Sequence, residues 1–180
     1  MITEEHANSK QPVSPFLVGP YGHPFHPILV TVPIGAWVGS LVFDVASRIN
    51  HSPEFLTRGS EWLVAIGILG ALAAASIGFL DFCSIPPGTA AYRTALLHLS
   101  LNLLVTLAYA LGWWWRYAST PDHGRVLIGQ IVLSGASLAV LALSGALGGK
   151  LAYHYGVRVA DEQAQAAGFR RGAPTAPPTL

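Results

Sequence analysis

His23, His26 and His98, with Asp81, Arg93 and Asn102, are the residues of this chain whose types and spacing suit chemistry. His23 and His26 flank a proline in Gly22-His23-Pro24-Phe25-His26-Pro27, and the others lie far along the sequence. Neutral imidazole is the commonest side-chain metal ligand and a frequent axial ligand of haem iron. A carboxylate behind a histidine can orient its ring, or can pair with an arginine such as Arg93. Two histidines from different helices, His98 with His26 or His23, would sandwich a b-type haem. Two or three of them with Asp81 would bind a transition metal. The same groups would also suit a proton-responsive or quinone-contacting site, since histidine titrates near neutrality. The architectural alternative is that the His-Pro pairs fix the lead-in to a helix while Asp81, Arg93 and His98 tie helix ends together.

The elements that must position these groups are four apolar segments, residues 28–47, 62–80, 94–115 and 126–149. Each is long enough, at ~1.5 Å per residue, to cross a hydrocarbon core of ~30 Å. Charged residues are 11% of the chain and apolar residues 52%, where a soluble domain carries about 25% charged residues. Three segments hold no Asp, Glu, Lys or Arg, and the first holds only Asp44, near its end. Soluble helices would alternate apolar and charged faces, and these do not. The fold class expected is therefore all-α: an integral membrane four-helix bundle in a lipid bilayer. Residues 1–21 read as a flexible arm, 22–160 as the membrane domain and 161–180 as a disordered tail rich in Ala, Gln, Gly and Pro.

Consecutive spans alternate direction, so distant residues share a depth. His23 and His26 precede the first span on the side where the second ends with Asp81. The third starts there with Arg93, His98 and Asn102, and the fourth ends there with Lys150, Tyr153 and His154. Taking the span to begin near Arg93 puts His98 about 8 Å inside. Helical spacing gives the inward stripes Gly67, Ala71, Ala74, Gly78, Asp81; Thr94, His98, Asn102, Val105, Tyr109; and Gln130, Ser134, Ser137, Leu141, Ser144, Gly148. Small and hydroxyl residues at this spacing let helices approach closely, and Gly35-x-x-x-Gly39 and Gly145-x-x-x-Gly149 add two further close-contact motifs. Trp62, Trp113, Trp114, Trp115 and Tyr117 form an aromatic belt on the opposite side.

Several classes are excluded. A net charge of +1 without basic runs gives no nucleic-acid signal. The single Cys83 excludes an intramolecular disulfide, a Cys-x-x-Cys-His haem attachment and a four-cysteine iron–sulfur site. No His-Glu-x-x-His or Gly-x-Ser-x-Gly motif is present. An ion pump would need ionisable groups near the midplane, whereas Asp44 and Asp81 read as terminal. Lys10, Arg93, Lys150, Arg158, Arg170 and Arg171 flank the side holding both termini, against Arg48, Arg58, Arg116 and Arg125 on the other. That bias favours cytoplasmic termini in a bacterial inner membrane.

Gly22-His23-Pro24-Phe25-His26-Pro27-Ile28-Leu29-Val30, then Val32-Pro33-Ile34-Gly35 and Phe43-Asp44, resembles the bacterial membrane family called domain of unknown function 2231. So do Gly78-Phe79-Leu80-Asp81, Arg93-Thr94-Ala95-Leu96-Leu97-His98 with Asn102, and Gly148-Gly149-Lys150-Leu151-Ala152-Tyr153 with Gly156-Val157. The resemblance covers residues 22–160 and implies a four-span membrane protein with no assigned activity. Some relatives join the module to Rieske-type redox domains, which implies an electron-transfer setting with the redox partner here a separate chain. The expectation is a redox or cofactor-binding accessory holding haem b or a metal through His23, His26 and His98, aided by Asn102. Asp81 and Arg93 would stand behind the ligands. The alternative is a non-catalytic assembly subunit, packed against a membrane partner or a second copy.

Overall fold

The computed structural model describes residues 9–10, 24–119, 123–167 and 169. His23 and nearly all of the expected N-terminal arm lie outside them. The described elements are helical throughout: α1 (Phe25–Leu29), α2 (Thr31–Ile49), α3 (Glu54–Cys83), α4 (Ala90–Ser119), α5 (Ile128–Tyr153) and α6 (Glu162–Ala167). α1 and α2 make one span, Phe25–Ile49, and α3, α4 and α5 make the other three. Four helices long and apolar enough to cross a bilayer make this a membrane protein that contacts lipid.

Local chemistry sets the breaks. Pro33 has no N–H to give the carbonyl of Leu29, so the first span is interrupted at Val30. The turn is held by Val30 N–H on the His26 carbonyl at 3.1 Å and the Thr31 hydroxyl on the Ile28 carbonyl at 2.7 Å. Ile85-Pro86-Pro87-Gly88 stops α3 and turns the chain into α4, with Gly88 at φ +83°. α3 and α4 run well past the apolar segments at both ends, because polar residues there continue the helices into the interface. α6 forms within a stretch whose composition alone reads as tail.

Around the bundle each helix neighbours the next in sequence, and α2 with α5 closes the ring. The first span and α4 are thus one diagonal, and α3 and α5 the other. At mid-depth the Trp37 indole stacks on the Tyr109 ring, centroids 4.1 Å apart and planes within 7°. Val64 and Val105 complete this core. Gly67 makes room for the indole: a Cβ there would lie 2.2 Å from Trp37 Nε1. The indole N–H meets the Val64 carbonyl at 3.3 Å, and the Tyr109 hydroxyl donates to the Ser134 carbonyl at 3.3 Å. The two Gly-x-x-x-Gly motifs do not serve this packing. Among the described residues, a Cβ at Gly35, Gly145 or Gly149 would touch nothing, and one at Gly39 only grazes Leu63 at 3.4 Å.

Toward the α4–α5 connection, each of the four spans contributes to one polar layer. Arg116 Nη2 lies 2.5 Å from Asp44 Oδ2 and 2.9 Å from Ser134 Oγ, and Ser60 Oγ donates to Asp44 Oδ1. Arg116 and Asp44 are 1% and 0% exposed. Arg116 is thus part of the bundle, correcting its reading as a flanking loop charge, and Asp44 is an interior group. Val126, also fully buried, plugs this end. Its N–H meets the Ser47 hydroxyl at 3.2 Å and its carbonyl accepts from Arg48 at 3.3 Å.

Candidate functional site

The opposite end carries the histidines. Pro27 sits in the first turn of α1, where a missing N–H costs nothing, and this places His26 at the very start of the first span. His26 Nδ1 is 2.8 Å from the Ala74 carbonyl on α3. His98, eight residues into α4, has its Nδ1 2.8 Å from the Ser144 carbonyl on α5. A carbonyl only accepts, so each ring donates from Nδ1, and in the neutral ring Nε2 is then the nitrogen that can accept or ligate. The two imidazoles face each other along the bundle diagonal, centroids 6.3 Å apart and planes at 80°. Because α4 begins at Ala90, His98 lies about 12 Å inside its end, deeper than spacing from Arg93 suggests.

Glycines admit both rings. A Cβ on Gly78 would lie 2.8 Å from His26 Cε1, and one on Gly148 would lie 3.1 Å from His98 Cε1. Asn102, one turn deeper on α4, gives its amide to His98 Nε2 at 3.2 Å and to Ser144 Oγ at 2.9 Å. His26, Ala74, His98 with Asn102, and Ser144 therefore form a second layer fed by all four spans.

Of the expected site residues, His26, His98 and Asn102 come together. Asp81 sits one turn above Gly78 but pairs with Arg158, its Oδ1 2.9 Å from Arg158 Nε, rather than with Arg93. Arg93 is exposed at the start of α4. His23 lies outside the described residues. No cluster of three or more His, Cys, Asp or Glu able to hold a metal occurs among the described residues. Among the described residues, the histidine donors available to a cofactor here are two imidazoles.

A family model described as a predicted membrane protein, DUF2231, matches residues 22–161. The chain belongs to that family. No curated protein and no solved structure matches it. In this DUF2231 protein, residues matched by the family model include both polar layers and the Trp37–Tyr109 stack between them. Sequence spacing passed over Arg116 although it continues the inward stripe: Val105, Tyr109, Gly112 and Arg116 follow one another at steps of three and four and are all buried. Its position after three tryptophans made it read as a loop charge.

Proposed function

We propose that this DUF2231 protein is a redox or cofactor-binding accessory of a bacterial cytoplasmic membrane, holding one b-type haem or one transition metal ion between His26 and His98. The observation that carries this is the matched hydrogen bonding of the two rings. Each gives its Nδ1 proton to a main-chain carbonyl of a neighbouring helix, the arrangement that fixes ring orientation and raises the basicity of a ligating Nε2. Their proximity supports it, the ring centroids being 6.3 Å apart. His26 and His98 would hold the group through their Nε2 atoms, and Asn102 would give up its contact with His98 Nε2. A bound haem would supply one-electron exchange, with the chain's own residues holding the rings and keeping lipid and water from them.

One observation favours the alternative, a structural or assembly subunit. Asn102, Ser144 and His98 already satisfy one another, so the layer is self-sufficient as a tie between α4 and α5. Visible spectra of detergent-purified protein, expressed with haem precursor and taken oxidised and dithionite-reduced, decide between the two. The cofactor reading expects reducible Soret and α bands lost in both His26→Ala and His98→Ala. A stoichiometric transition metal without a Soret band would select the metal version. A featureless spectrum and no bound metal in folded protein would leave the assembly role.

A further inference from the structure

The chain leaving α5 does not run out into water; it turns back across the end of the bundle. Gly156, at φ +71°, closes the helix in the manner of a glycine cap, its N–H on the Ala152 carbonyl at 3.1 Å and that of Val157 on the Leu151 carbonyl at 3.0 Å. Arg158 then takes φ +58°, a left-handed conformation uncommon for a residue with a side chain. Its N–H is held by the Ser9 carbonyl at 3.1 Å, and its Nε reaches Asp81 Oδ1 at 2.9 Å. Those two side chains are only 9% and 13% exposed.

The topology gives that contact its meaning. Asp81 belongs to α3 and the turning segment to α5, the two helices on one diagonal of the ring. His26 and His98 are strung along the other diagonal. A tie from α5 to α3 therefore passes over the histidine pair, and Asp81 stands one turn nearer water than Gly78, against which His26 rests. α1 begins at the level of the histidines, while α4 runs about 12 Å beyond His98, and α3 and α5 run about 8 Å beyond Gly78 and Gly148. Among the described residues, the quarter of the bundle end that no helix rises over is thus the one beside His26.

We infer that residues 154–159 are a strap closing the aqueous access to the histidine pair, latched by Arg158 on Asp81. Opening the latch admits a metal ion, a haem or a small solute to the two imidazoles. The strap's purpose rests on the cofactor reading, whereas the closure rests on the geometry alone.

Diethyl pyrocarbonate, which acylates accessible neutral imidazoles, tests this on cofactor-free protein in proteoliposomes, with residue-by-residue rates from mass spectrometry. The exposed His51, outside the strap, is the internal reference. In the wild type His26 and His98 label far more slowly than His51. Arg158→Gln and Asp81→Asn each raise the His26 rate about tenfold, by shifting the strap toward its open population. The exchange variant Asp81→Arg/Arg158→Asp restores slow labelling. Unchanged His26 rates in both folded single variants, or wild-type His26 labelling as fast as His51, would overturn the strap. Should the single variants not fold, the exchange variant decides, slow labelling supporting the latch and fast labelling refuting it. A colourless protein with a protected His26 would refute the cofactor and keep the strap, and the reverse pair of results would do the opposite.

Discussion

Asp44 and Arg116 meet where neither could stand alone. Both are essentially unexposed, and an unpaired charge surrounded by helices and lipid would lack any solvation. Ser60, Ser134 and the Gly112 carbonyl take up further lone pairs and protons of the two groups. Breaking such a pair costs more than the pair itself contributes, because the surviving partner stays buried. Asp44→Ala is accordingly expected to lower stability by about 3–5 kcal/mol. The double variant Asp44→Leu/Arg116→Met should recover most of that loss, read as thermal unfolding in detergent. At the histidine layer the corresponding probe is Asn102→Val. It removes the competitor for His98 Nε2, so under the cofactor reading it retains the Soret band and tightens uptake of added haem in a titration. Loss of the band in a folded Asn102→Val protein would argue that the amide positions the ring.

Among the helices, glycines separate into those that admit a ring and those that face open space. Gly67 accepts the Trp37 indole and Gly78 the His26 imidazole, whereas Gly35 and Gly145 have nothing within 4 Å among the described residues. Gly67→Ala should cost about 1–3 kcal/mol, since it forces the indole off its stack with Tyr109. Gly35→Ala and Gly145→Ala should be neutral or mildly stabilising, by roughly 0.5–1 kcal/mol, as alanine is the better helix former; unfolding midpoints of the three variants check the contrast. Much of this order was legible in sequence. The stripes on α3, α4 and α5 are inward because a helix repeats its face every three to four residues, and small or hydroxyl residues recur at that step. The Gly-x-x-x-Gly spacing misled, because it marks a face that can pack closely without saying that this chain supplies the partner. The partner of Asp81 was also hidden. Arg158 reaches it only through two left-handed residues after α5, which no periodicity foretells.

For the molecule in its membrane, the structure revises the charge asymmetry that sets orientation. With Arg116 neutralised inside the bundle, only Arg48, Arg58 and Arg125 remain as flanking charges on the side away from the termini. Arg158, on the terminal side, is likewise taken up by Asp81, so the margin behind the proposal of cytoplasmic termini stays the same. Cys83, exposed at the end of α3 on the terminal side and the only cysteine in the chain, is a native reporter. An impermeant maleimide is expected to label it in inverted membrane vesicles and not in intact cells; the opposite pattern would reverse the orientation. The two polar layers also have an electrical consequence. Between Ser144 and Ser134 on α5 the interior is filled by the Trp37–Tyr109 stack and aliphatic side chains, a depth of about 15 Å. A membrane voltage, worth about 2.3 kcal/mol per elementary charge per 100 mV, falls mainly across such a dry slab. With the strap open, charge arriving at the histidines from the terminal side traverses little of that field. A centre held there would be poised by one compartment alone and would stay indifferent to energisation of the membrane.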